Sequence, residues 1–177
     1  MRRTLRIGLV ALALQPAVAW EASAKPVRWS GNGHLYEVRV APEPDGISWV
    51  QALLRADALG CGWYLVTITS KAENDFVFKL AARYPQIFDA EGGHGPWIGG
   101  FQANPFDEPA GNWRWVTDEP FRFENWNPGE PNDHNGGESF INTYEKGTWN
   151  DTTVSDLLKG FIVEFDKQRQ AACRKRG

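Results

Sequence analysis

Cysteine is scarce in this chain: only Cys61 and Cys173 occur among its 177 residues. That excludes a disulfide-dense scaffold and a four-cysteine zinc site. In an exported protein the two can pair, but Cys173 lies in a basic terminal stretch, so a free or intermolecular thiol is at least as good a reading. Histidine is also rare, and no two of His34, His94 and His134 have the spacing of a zinc site. The one long apolar run, Ile7 to Leu14, falls well short of the roughly 20 residues that cross a bilayer. Basic charge is not in excess either, with 19 Lys and Arg against 22 Asp and Glu. A protein with that balance lacks the positive footprint that nucleic acid needs. There is no Gly-rich phosphate loop, no nucleophile motif, no Ser/His/Asp order and no coiled-coil segment.

The amino end reads as a secretory signal. Arg2, Arg3 and Arg6 precede the apolar run, and Ala17-Val18-Ala19 closes it as a cleavage pattern. A second small-residue site follows at Ala22-Ser23-Ala24, so two cut positions are open. Removing residues 1–19 takes three of the basic residues and leaves 16 against 22 acidic, a net charge near −6. The expectation is a soluble protein, secreted or periplasmic, with a layout that fits a bacterial source. About 155 mature residues make one domain with a real core. Nine Trp and ten Phe suggest that rings build that core.

The pattern along the chain is α+β. His34 to Ala41 alternates as a strand. Ser48 with Gln51 opens a helix to about Leu59, and Ser70 with Glu73 opens a second from Lys71 to about Arg83, both as capping boxes. Leu65 to Thr69 lies between them as a β-branched strand. Tyr84-Pro85 ends the second helix, because the residue before proline avoids the helical region. Short strands follow at Trp97–Gly100, Phe140-Ile141, Thr148-Trp149 and Phe161–Phe165, while Asn112–Trp115 and Phe121–Phe123 alternate aromatic and polar. Trp126 to Ser139 is a long polar loop, and loops of that length inside a compact domain tend to be functional. Lys167 to the end is a basic, solvated tail without apolar periodicity.

Five oxygen-bearing side chains fall in and after that loop. They are Glu130, Asn132, Glu138, Asn150 and Asp151, at offsets 0, 2, 8, 20 and 21 from the first. Ca²⁺ takes about 6–8 oxygen ligands. Three carboxylates and two amide carbonyls supply five, and the Asp151 backbone carbonyl can add another. Glu-Pro-Asn or Trp-Asn-Asp alone is ordinary turn material; the joint spacing is what singles them out.

With both tripeptides and the intervening Glu138 in place, the chain resembles the C-type lectin family. Gly33-His34-Leu35-Tyr36, Trp49, Leu65 to Ser70 with Glu73, and Trp97-Ile98-Gly99 stand where that family has its landmarks, so the resemblance covers roughly residues 33–166, leaving 167–177 as the tail. It implies a C-type lectin-like fold: two helices packed on small antiparallel sheets, with a long calcium-binding loop region. It implies a cis bond at Pro131. It also implies that Glu130, Asn132, Glu138 and Asn150 share a bound Ca²⁺ with two neighbouring sugar hydroxyls, each hydroxyl donating to a carboxylate and accepting from an amide. Glu-Pro-Asn goes in the family with mannose-type sugars. A second calcium, on Asp133 with Asp107 or Glu108, is a further implication, though the segment around Phe106 matches the family poorly. The family's two disulfides would fall near Ala58 with Val163 and Phe140 with Val154, all apolar here.

Three functions compete. The first is a calcium-dependent carbohydrate-binding module, in which oligomers would add avidity to a weak single site. The second is a calcium-ordered protein-interaction or adhesion domain that binds no sugar, since a fold does not fix a function. The third is a glycosidase using a carboxylate pair among Glu130, Glu138 and Asp151; three carboxylates with two amides suit a hard cation better than acid/base work. The expectation is therefore a binding protein and not an enzyme, with carbohydrate as partner and neither nucleic acid nor a membrane span.

Overall fold

The computed structural model describes residues 25–89, 93–104, 109, 111–134 and 136–175. The expected signal at 1–19 lies outside them, as do Asp107 and Glu108, expected at a second calcium site. No helix among the described residues is long and apolar enough to cross a membrane.

Local chemistry sets the helices where the sequence signals them. Helix α1, Trp49–Asp57, begins at a complete capping box: the Ser48 hydroxyl accepts from the Gln51 N–H at 3.3 Å, and the Gln51 amide oxygen accepts from the Ser48 N–H at 2.8 Å. Helix α2, Lys71–Ala81, has only half of the expected box. Ser70 caps the Glu73 N–H at 3.2 Å, but the Glu73 carboxylate turns to the Thr69 N–H at 2.8 Å and the Tyr36 hydroxyl at 2.6 Å. Both helices stop about two residues before their expected ends. Their last turns tighten into three-residue bonds, Leu59 N–H to Ala56 and Tyr84 N–H to Ala81.

The strands are β1 (Val27–Arg28), β2 (Leu35–Val40), β3 (Trp63–Leu65), β4 (His94–Gln102), β5 (Trp113–Trp115), β6 (Phe140–Tyr144), β7 (Trp149–Thr152) and β8 (Gly160–Phe165). They do not form separate small sheets. They join in one branched sheet ordered β1-β2-β8-β4-β6-β7, with β3 on β8 and β5 on β4. Its parallel pair is β4 with β8, at Trp97 and Phe161. The expected strand over Leu65–Thr69 ends at Leu65. Beyond it, carboxylates of side chains satisfy the backbone where a neighbouring strand would: Glu164 takes the Thr67 N–H and Glu73 the Thr69 N–H. The alternating Phe121–Phe123 joins no strand, and Phe121 packs its ring against Trp115.

Rings do build the core. Trp149 is fully buried, with Trp115, Phe123 and Trp126 at centroid distances of 5.5, 5.6 and 5.8 Å. Its indole N–H donates to Asn74 Oδ1 at 2.9 Å, which ties β7 to α2. Trp97 and Trp49 bond the Ile47 and Ile98 carbonyls at 2.7 and 2.8 Å. Where the family's disulfides would fall, Val163 is buried and Phe140 stacks on Trp49 at 4.7 Å, while Val154 is exposed.

The basic tail differs most from expectation. Lys167–Arg174 is a helix, α3, capped by Asp166, although none of its residues is buried. It is held by specific ties instead. Cys173 is disulfide-bonded to Cys61, and Arg169 lies 5.2 Å from the Tyr64 ring centroid and donates to the Thr117 carbonyl at 2.5 Å. The cysteine pairing resolves the alternatives in favour of an internal bridge.

Candidate functional site

The β6–β7 hairpin carries half of the site. Its turn needs Gly147, whose φ of +81° belongs to the left-handed region and where a Cβ would meet the Phe78 ring at 2.7 Å. Antiparallel register sets Asn142 opposite Asn150 and Ile141 opposite Asp151. Alternation along β7 then sends Trp149 and Asp151 inward. Asn150 is held on the other face, its Nδ2 donating to Asn142 Oδ1 at 3.1 Å and its Oδ1 accepting from the Tyr144 hydroxyl at 3.0 Å.

The loop from Trp126 supplies the other half. Two backbone bonds pin its start to β7: Asn127 N–H to Trp149 O at 2.9 Å, and Trp149 N–H to Asn125 O at 2.8 Å. The Glu130–Pro131 bond is cis. Asp151, wholly buried, then reaches from β7 into the loop. Its carboxylate accepts from the Asn132 N–H at 3.0 and 3.1 Å and from the Asp133 N–H at 2.8 Å. Asp133 continues the bracing, with φ of +48° and Oδ1 accepting from the Glu138 N–H at 3.0 Å. Glu138 in turn accepts from the His134 N–H at 2.6 Å.

Glu130, Asn132, Glu138 and Asn150 consequently line one cavity of about 570 Å³. Asp151 is wholly buried beside Glu130, and its carboxylate braces the Asn132 and Asp133 backbones. Asp133 also serves the loop. Sequence reasoning missed Tyr144, Asn142, His94 and Asp156. Extending the alternation of β6 past Ile141 was the available signal for Asn142 and Tyr144, which face the same side as Asn150.

The electrostatics of the cavity are those of crowded carboxylates. Burial pushes Glu138 up to about 7, and the charges of Asp151 and Glu130 add to it, against the opposing His134 N–H. Burial also raises Glu130, with Asp151 the next cause. No Lys or Arg is among the described lining residues. Glu130 Oε2 is buried without a hydrogen-bond partner, which is costly for a carboxylate oxygen. A hard divalent cation answers both problems at once. Among the described residues no three His, Cys, Asp or Glu side chains converge closely enough to hold an ion by themselves. An ion held here would also need amide oxygens such as those of Asn132 and Asn150. Oxygen donors of this kind suit Ca²⁺ and not Zn²⁺.

Comparison with known proteins identifies the family. The family model of the C-type lectin domain matches residues 60–162. The human protein "C-type lectin domain family 10 member A" is 32% identical over 114 residues, covering 60% of this chain and 30% of its own length. Ladderlectin of Oncorhynchus mykiss is 33% identical over 125 residues, covering 70% of this chain and 60% of its own. The chain thus spans less than two thirds of either relative. Among solved structures, the cow CD23 carbohydrate-recognition domain, crystallised in the presence of a GlcNAc2Man3 oligosaccharide, superposes with a TM-score of 0.58 at 28% identity, covering 74% of this chain and 86% of that one. The lectin CEL-I of Cucumaria echinata has the same fold, with a TM-score of 0.60 at 21% identity, covering 86% and 98%. Domains of the matched family are typically carbohydrate-binding and calcium-dependent, and they are binding proteins and not enzymes. With the family model matching more than half of its length, this chain belongs to the C-type lectin domain family.

Proposed function

We propose that the protein binds mannose-type sugars through a Ca²⁺ held by Glu130, Asn132, Glu138 and Asn150, with Asp151 as the fifth member of the set. The observation that carries the reading is the unpartnered, buried Glu130 Oε2 in a cavity walled by those side chains and free of Lys and Arg among its described residues. The ion supplies the positive charge that the crowded carboxylates lack and accepts two neighbouring hydroxyls as ligands. The chain's own groups then set which hydroxyl pair fits. Glu130 and Glu138 accept from the hydroxyl protons. Asn132 turns a carbonyl to the ion and an NH₂ outward as donor, while Asn150 offers its Oδ1, its Nδ2 being held by Asn142 Oδ1 and the Asp151 carbonyl. Asp151 acts through the loop, since its carboxylate fixes the Asn132 and Asp133 backbones. The Glu-Pro-Asn order supports mannose, glucose and N-acetylglucosamine over galactose. The signal-like amino end and the internal disulfide support an exported, soluble protein.

A dense glycan array read with millimolar calcium and again with chelator tests this. Calcium-dependent signal on mannose-type glycans, absent on galactose types, is expected. Protein that binds calcium but neither sugar class would leave the protein-interaction reading in its place.

A further inference from the structure

We infer that the same cavity holds a second sugar subsite, so that the ligand is an oligosaccharide whose next residue rests on Tyr144, His94 and Leu157. The inference depends on the calcium-dependent sugar reading above. Its first support is size. About 570 Å³ lies within the roughly 300–1,000 Å³ of ordinary small-molecule pockets. The diol chemistry at Glu130, Asn132, Glu138 and Asn150 engages one edge of one sugar ring and leaves most of that space to other walls.

The second support is the chemistry of those walls. Beyond Asn150 the cavity continues past Tyr144 to the start of β4 and to the connection between β7 and β8. Tyr144 and His94 are opposed across the β4–β6 ladder, and their rings lie 4.9 Å apart at 56°. Leu157 is 48% exposed yet lines the same cavity. A pyranose presents an apolar face of C–H groups and a polar edge of hydroxyls. Two rings and a leucine match the face, since aromatic planes carry negative charge that attracts polarised C–H. Asp156 and Asp89 match the edge as acceptors. Asp156 is fixed for that by bonds to its Oδ2 from the Thr153 N–H at 3.0 Å, the Thr153 hydroxyl at 3.0 Å and the Thr152 hydroxyl. Asp89 is tied to the same strand by the His94 N–H at 3.1 Å. Histidine is the one lining residue type able to carry positive charge, so the subsite takes a neutral sugar and disfavours uronic or sialic acids.

Titration calorimetry on the full chain, in saturating calcium, tests the inference. The probes are the methyl glycosides of mannose, glucose and N-acetylglucosamine, with mannobioses, maltose, cellobiose and chitobiose as their two-residue counterparts. At least one disaccharide is expected to bind about tenfold tighter than its own monosaccharide, a gain of roughly 1.4 kcal/mol. Leu157→Ser changes a half-exposed side chain and should fold normally; it should bring that ratio to about twofold or below, and His94→Ala should do the same from the opposite wall. Natural protein whose disaccharides all bind within about twofold of their monosaccharides overturns the subsite and leaves the ion-site reading standing. So does a tenfold ratio that both variants retain. Calcium-loaded protein that binds no sugar of either size overturns the function and the subsite together.

Discussion

Replacing Asp151 by alanine separates the brace from the ion. In chelator there is no ion to lose, so the remaining effect on stability is that of the carboxylate on the loop. That carboxylate takes two backbone N–H groups, from Asn132 and Asp133, and is itself wholly buried. Hydrogen bonds to a charged acceptor contribute about 1.5–3 kcal/mol each, which gives an upper bound of about 3–6 kcal/mol. Two effects reduce it. Asn132 is exposed and Asp133 half-buried, so their N–H groups can turn to water in the variant. Removing the charge also relieves Glu130 and Glu138, both raised in part by Asp151. A net loss of about 1–3 kcal/mol remains, or roughly 3–10 °C in Tm for a domain of this size. Asp151→Asn keeps one acceptor and should fall between. In calcium the gap should widen, because the wild type gains about 2.7 kcal/mol at a hundredfold excess over Kd and the variant does not. Differential scanning calorimetry in both conditions measures this. An alanine variant that melts with the wild type in chelator would refute the bracing role.

The ion-free protein should become less stable as pH rises from the ordinary carboxylate range through about 7, because Glu138 and Glu130 keep their protons in the fold at pH values where the unfolded chain has released them. Calcium should reverse that slope, and its apparent affinity should weaken below pH 7; melts across pH with and without the ion would show either trend or its absence. The exchange Glu130→Gln with Asn132→Asp keeps the ligand oxygens and the carboxylate count while inverting donor and acceptor at the diol. Calcium binding should survive, and preference should move from mannose toward galactose, with mismatched groups costing about 1–3 kcal/mol each. Cys173→Ser opens a bridge spanning 112 residues and should cost about 2–4 kcal/mol in a thermal melt, yet leave sugar binding as it was, since neither cysteine lines the cavity.

The α+β plan, both capped helices and the polar loop were legible in residue order, because each depends on signals within a few positions of one another. Ser48 with Gln51 is such a signal, and it forms as written. Glu73 shows where local reading stops. Its capping role lost to Tyr36, a partner brought in from β2 by the fold. Val66–Thr69 has strand-forming side chains, but the carboxylates of Glu164 and Glu73 claim the Thr67 and Thr69 N–H groups. Helix α3 left no apolar trace because it is held by a disulfide and an arginine and not by a buried face. At the site, the four cavity-lining side chains were readable from their spacing. The bracing of the Asn132 and Asp133 backbones by Asp151 was not, since it depends on the inward turn of β7.

The order of strands in the sheet has a practical reading. Strands β1, β2 and β8, which stand nearest the two ends of the described chain, occupy one side of the path, and the β6–β7 hairpin forms the opposite edge. A linker, a surface or a second domain attached at either end therefore joins the molecule away from the cavity. The domain can be displayed from a support, or strung in arrays through its ends, with the hairpin edge that lines the cavity pointing outward.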